Sequence, residues 1–166
     1  TDYEDTGLAQ LFGMPFVVLR KPVPFDTTTL NFNWQVWDTK AFSLYSRSTE
    51  KIDKKGADMA IAAVCRFLSR MNVLNYNVYG GYESTVLLEE ELVSLRSTAS
   101  GLYIPHVKSF DSVERGQILA DIIDPLTGVT VAQTEAPEDG IVFFAKDSPL
   151  VMENETLFKI VNKLHK

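Results

Sequence analysis

A unit of sequence occurs twice in the last third of this chain. The first copy reads Gly101-Leu-Tyr-Ile-Pro105, then Val113-Glu-Arg-Gly-Gln-Ile-Leu-Ala-Asp-Ile122. The second reads Gly140-Ile-Val-Phe-Phe144, then Val151-Met-Glu-Asn-Glu-Thr-Leu-Phe-Lys-Ile160. The leading glycines are 39 residues apart; Val113/Val151, Gly116/Asn154, Leu119/Leu157 and Ile122/Ile160 are each 38 apart. Asn154 stands where the first copy has Gly116, and asparagine is the residue that best replaces glycine where φ must be positive. Each copy has one plan: a glycine-led strand, a turn, then a strand with apolar residues at alternate positions. Two interlocked copies of such a unit build a small β-sandwich.

The rest of the composition bounds the chain. Its 166 residues suffice for one domain or two small ones with a real core. A net charge of −6 without any basic run gives no footprint for nucleic acid. The single cysteine, Cys65, excludes an internal disulfide and fits a reducing, cytoplasmic setting. No apolar run approaches the ~18 residues of a membrane helix, so no membrane partner is expected. The chain starts Thr1-Asp-Tyr-Glu-Asp5, without an initiator methionine or a signal-peptide core. It reads as a segment from within a longer protein.

The first 75 or so residues follow a different grammar. Leu8, Leu11 and Phe12 form the apolar face of a short helix that Gly13 ends. Phe16-Val-Val-Leu-Arg20 reads as a buried strand between Pro15 and Pro22. Lys21 to Asn33, with two prolines and a threonine triplet, reads as an irregular loop, and Ala41 to Ser46 as a second strand. A long helix follows from about Lys54 to Met71, with Asp53 as its N-cap. Ala57, Ala60, Ile61, Val64, Leu68 and Met71 mark its apolar stripe, with Arg66 and Arg70 off it. Asn72 to Glu91 is turn-rich and acidic and reads as a join. Strand, loop, strand, helix belongs to an α/β domain, and this is too little for a complete one.

In order and spacing, three blocks resemble the C-terminal half of the succinylglutamate desuccinylase/aspartoacylase family. They are Leu11-Phe-Gly-Met-Pro-Phe-Val-Val-Leu-Arg20, then Lys40-Ala-Phe-Ser-Leu-Tyr-Ser46 with the helix to Leu74, then Ser100 to Val142. The resemblance implies a two-part α+β chain: the end of a zinc-carboxypeptidase-like α/β domain over residues 1–76, a linker over 77–91, and an all-β barrel-sandwich hybrid domain over 92–166. It implies a zinc-dependent metallopeptidase-like hydrolase, a deacylase that cleaves amide bonds of small N-acyl amino acids with a zinc-bound water. The expected partners are that substrate, the upstream catalytic half of the same protein, and further copies of the chain.

The resemblance also exposes two departures. Its zinc ligands, a His-x-x-Glu pair and a later histidine, lie upstream of the matched part. Here only His106, His165 and Cys65 offer nitrogen or sulfur, and no metal-binding spacing occurs. No zinc is therefore expected in this chain; the metal belongs to the full-length parent. The family's general base is a glutamate at the end of the strand that matches 41–46, and that position holds Tyr45, followed by Ser46 and Arg47. Three readings stand: Glu50 reaches back as the base, Tyr45 and Arg47 contact substrate in a changed mechanism, or the position is catalytically silent.

Other constellations point elsewhere. Phe32, Trp34 and Trp37 suit core packing or a pocket wall. Tyr79-Gly-Gly-Tyr82 lacks the Lys and Ser/Thr of a phosphate loop, and no Gly-x-Ser-x-Gly elbow is present. A biotin or lipoyl carrier displays a lysine on the hairpin between its two copies, and here that hairpin, Asp124-Pro-Leu-Thr-Gly128, has none. The alternative to a hydrolase part is thus a non-catalytic structural or interaction module of β-sandwich type.

Overall fold

The structure, a computed structural model, describes residues 5–45 and 52–162. They form two compact units, the first from 5–45 and 53–89, the second chiefly from 90–162.

The second unit carries the repeat. Its strands are β3 (Leu92–Arg96), β4 (Gly101–Pro105), β5 (Ser112–Val113), β6 (Ile118–Ile123), β7 (Thr130–Glu135), β8 (Gly140–Ala145), β9 (Leu150–Val151) and β10 (Thr156–Asn162). They make two four-stranded sheets, ordered β3-β10-β8-β5 and β7-β6-β4-β9. The copies interlock. β5 of the first pairs with β8 of the second, Val113 opposite Gly140. β9 of the second pairs with β4 of the first, Val151 opposite Gly101. Equivalent positions do equivalent work. Gly116 and Asn154 have φ of +80° and +67°, and their amides donate to Ala136 O and Ser97 O, both at 2.8 Å. The asparagine thus performs the turn that the substitution predicts. Val113, Leu119 and Ile122 and their counterparts Val151, Leu157 and Ile160 all lie in one buried cluster with Phe158 and Tyr103. The structure also lengthens the repeat. β3 and β7 hold matching places, β3 on β10 and β7 on β6, although their sequences share no visible pattern.

The first unit is thinner. Helix α1 (Thr6–Gln10) leads to β1 (Phe16–Leu19); α2 spans Leu30–Val36, α3 spans Lys54–Arg70, and β2 spans Thr85–Leu88. β1 and β2 pair in parallel, Phe16 opposite Thr85 through Leu19 opposite Leu88. The segment read as a join therefore holds a strand. Its signal was a three-residue apolar run, Val86-Leu-Leu88, next to the acidic triplet. The stretch read as an irregular loop contains a 3-10 turn at Pro24–Thr28 and the start of α2. Thr29 caps α2, its hydroxyl accepting from Phe32 N at 3.2 Å. Ala41 to Tyr45 is not a strand. Its contacts come from side chains instead: Gln35 Nε2 donates to Ala41 O, Asn31 Nδ2 to Ser43 Oγ, and Phe42 packs edge-on against Phe12.

Asp53 caps α3 as expected, its carboxylate accepting from Gly56 N at 3.0 Å. The helix presents an unexpected face, however. Gly56, Ala63 and Arg66 are its buried residues, while Ala57, Ile61, Val64 and Met71 of the apolar stripe are exposed. The small residues allow close approach, and polarity decides the rest. Arg66 Nε donates to Phe12 O at 2.9 Å, and Arg70 reaches Leu11 O at 2.8 Å and Gly80 O at 2.6 Å. The two guanidinium groups thus satisfy carbonyls of the turn after α1 and of Gly80. Phe67 stacks on Phe12, centroids 4.3 Å apart. Burial and the neighbouring Arg70 both press the Arg66 pKa below its ordinary value. Arg66→Met should cost about 2–4 kcal/mol, since it leaves buried carbonyls without a charged donor. Both tryptophans, Trp34 and Trp37, lie in this unit, so the midpoint of a fluorescence-monitored urea transition measures the loss. Arg70→Met, at an exposed position, should cost well under half as much.

Candidate functional site

Tyr45 ends the 41–45 segment and is 79% exposed. The segment is held from both sides. Ala41 is buried, and Lys40 Nζ lies 2.7 Å from Asp5 Oδ1. On the other side α2 grips the main chain and Ser43 through Gln35 and Asn31. This bracket, formed by residues with no signature of their own in the sequence, is what places Tyr45. Trp34 and Trp37 do not pack a core; they are half and 82% exposed. Arg47 and Glu50, the other two residues singled out from the sequence, lie outside the described residues, as does His165. The phenol of Tyr45 can donate or accept one hydrogen bond. Among the described residues, a gripped backbone precedes it.

A concavity runs along α3. Ile61, Cys65, Leu74, Tyr76 and Tyr79 line an open groove of about 510 Å³ with Asp58 at its rim. Its lining is mostly apolar. Cys65, singled out from the sequence only as the lone thiol, is half-buried there.

His106 belongs to the second unit and is engaged. Its Nε2 lies 2.8 Å from Asp121 Oδ2, and Gln133 Nε2 donates to Asp121 Oδ1 at 2.8 Å. The hydrogen bonds from Gln133 and then His106 hold the Asp121 carboxyl below the usual carboxylate range. Among the described residues no group of three or more His, Cys, Asp or Glu side chains is placed to hold a metal ion. The donor set of the described residues therefore does not fit a zinc site.

No protein-family model matches the chain, and no curated protein matches it. Solved structures do. A succinylglutamate desuccinylase/aspartoacylase from Rhodobacter sphaeroides superposes with a TM-score of 0.76 at 14% identity, over 98% of this chain and 50% of that one. The product-bound ectoine utilization protein EutE (DoeB) from Ruegeria pomeroyi gives 0.76 at 14%, over 96% and 49%. An aspartoacylase family protein from Mesorhizobium loti gives 0.63 at 16%, over 98% and 48%. The chain has about half of this fold. That agrees with the resemblance read from the three sequence blocks, and the length matched is what a C-terminal half would give. Among the described residues no helix is long and apolar enough to cross a membrane.

Proposed function

We infer that the chain is the C-terminal half of a zinc-dependent amidohydrolase or deacylase of small N-acyl amino acids, inactive by itself and cytoplasmic. One observation carries this reading: nearly all of the chain superposes on desuccinylase/aspartoacylase structures, yet it spans only about half of each. The first unit supports it. Parallel sheets occur with both faces covered and with more strands than the two of β1 and β2. The exposed stripe of α3 gives a complementary α/β segment an apolar surface to cover. On this reading residues 1–76, together with the β2 strand found in the join, complete the catalytic domain, 92–166 are the barrel-sandwich domain, and the zinc is held by the other half. Tyr45 and Arg47 stand at the substrate, and Glu50 supplies the carboxylate base.

The test adds the complementary half in trans and follows release of the free amino acid from N-succinyl and N-acetyl substrates. The chain alone should show no turnover, and the pair should show turnover that a chelator removes. Equal activity of the chain alone would overturn the reading. An inactive pair that nevertheless associates would favour the second reading, a non-catalytic interaction module. Tyr45 in place of the family glutamate is the observation behind that alternative.

A further inference from the structure

Ala41, Gln35, Asn31 and Ser43 form one chain of hydrogen bonds, and its direction is fixed. Gln35 Nε2 donates to Ala41 O at 3.2 Å. A main-chain carbonyl can only accept, so the amide of Gln35 turns its nitrogen this way and not its oxygen. The same Nε2 donates to Asn31 Oδ1. Asn31 must therefore direct its own nitrogen elsewhere, and Nδ2 donates to Ser43 Oγ at 3.0 Å. Ser43 is thus an acceptor within the chain, which leaves its hydroxyl hydrogen to give. Among the described residues that hydrogen has no acceptor. Gln35 and Asn31 are half-buried and Ser43 is exposed, so the chain runs outward and ends on a donor, each link polarised by the one before it. Phe42 packs inward on Phe12, and Ser43, Leu44 and Tyr45 follow as an exposed run.

We propose that Ser43 binds the substrate, its hydroxyl donating to an acceptor oxygen of the N-acyl amino acid, the carboxylate or the acyl carbonyl. Asn31 and Gln35 are positioning residues that fix the direction of this hydrogen bond. The proposal rests on the hydrolase reading, because Ser43 lies two residues before Tyr45, the position that reading sets at the substrate. The ligand chemistry follows from the polarity of the chain. With Asn31 donating to it, Ser43 offers a hydrogen, and carboxylate and carbonyl oxygens are the acceptors that such a substrate carries. A serine of the opposite polarity, its hydrogen turned back to a neighbouring carboxylate, would set oxygen against oxygen. The Ala41 carbonyl, through two amides, decides between these states.

In the chain completed by the other half, Ser43→Ala should lower kcat/KM for N-acetyl and N-succinyl amino acids about 5–50-fold, the effect of one hydrogen bond to a polar or charged group. Ser43→Thr keeps the hydroxyl and should restore most of it. Asn31→Asp keeps the shape of its link but cannot donate, so the Ser43 hydrogen turns back to it; it should lose as much as Ser43→Ala although the serine remains. Calorimetric binding of the same substrates to the chelator-treated pair should weaken in proportion, which reads the contact without turnover. Ser43 is exposed, so the thermal midpoint of Ser43→Ala should hardly move. A substrate with a carboxamide in place of its carboxylate separates the two acceptors: the loss on Ser43→Ala persists if the carbonyl is held and vanishes if the carboxylate is. Turnover and binding unchanged in Ser43→Ala would overturn the proposal and leave the hydrolase reading standing. Full activity of Asn31→Asp beside a weakened Ser43→Ala would overturn the positioning role of the amides. A pair that neither binds nor turns over these substrates would overturn both the proposal and the hydrolase reading.

Discussion

Gly140→Val should unfold the second unit or bring it close to unfolding. A Cβ at Gly140 would stand 2.5 Å from Val161 O and 2.5 Å from Ile160 Cγ2. Neither neighbour can retreat. Val161 O belongs to the β10 backbone, and Ile160 is fully buried in the core. Overpacking of this kind costs about 1–3 kcal/mol even where only side chains must move, and here a strand must move as well. A unit of this size has a total stability of roughly 4–11 kcal/mol. Gly101 is the counterpart: its Cβ would lie 2.5 Å from Ile123 O and 3.0 Å from Ile122 Cγ2. Gly101→Val should therefore act in the same direction. Far-UV circular dichroism in urea reads the loss, while tryptophan fluorescence follows the first unit alone. An unchanged transition in either variant would show that the strand approach is looser than its geometry.

On the hydrolase reading proposed above, Glu50→Gln in the chain completed by the other half should lower kcat by roughly 10²–10⁴-fold with little change in substrate affinity, the contribution of a positioned base. Glutamine keeps the size and reach of glutamate but cannot accept the proton. Tyr45→Phe should cost less, because it removes at most one hydrogen bond to substrate or intermediate. A neutral Glu50→Gln beside a crippling Tyr45→Phe would make the tyrosine itself mechanistic. Neutrality of both in an active enzyme would place the chemistry away from this loop.

How far the sequence could be read depended on whether a pattern was local. The β-sandwich was legible because turn and core positions repeat at one spacing, down to Asn154 in place of Gly116. The start of α3 was legible because Asp53 caps it. Its orientation was not. Periodicity finds an apolar stripe, but Arg66 and Arg70 fix which face turns inward by reaching carbonyls more than fifty residues away in sequence. α2 was hidden by asparagines and aromatics, poor helix formers, and it depends on the Thr29 cap and on the hydrogen bonds Gln35 and Asn31 make to the 41–43 segment. The 41–45 segment carried strand-forming residues, yet a strand also needs a neighbour's ladder, and no local signal says whether that neighbour exists. The candidate site was legible only as a departure from a family pattern. Tyr45 could be located and its surroundings could not.

The exchange of β5 and β9 between the two copies has a consequence for origin and assembly. A lone copy would keep one pairing, β4 with β6 or β8 with β10, and lose the partners of its other two strands, because β5 closes on β8, β9 on β4, β3 on β10 and β7 on β6. Its glycine-led strand would be open where the other copy's valine now sits. Two lone copies, however, supply each other's missing strands by the same contacts. The second unit is in effect a strand-exchanged homodimer whose two chains have been fused, with the Asp124–Gly128 hairpin near the point of fusion. Cutting that hairpin should leave two fragments able to reassociate without new contacts.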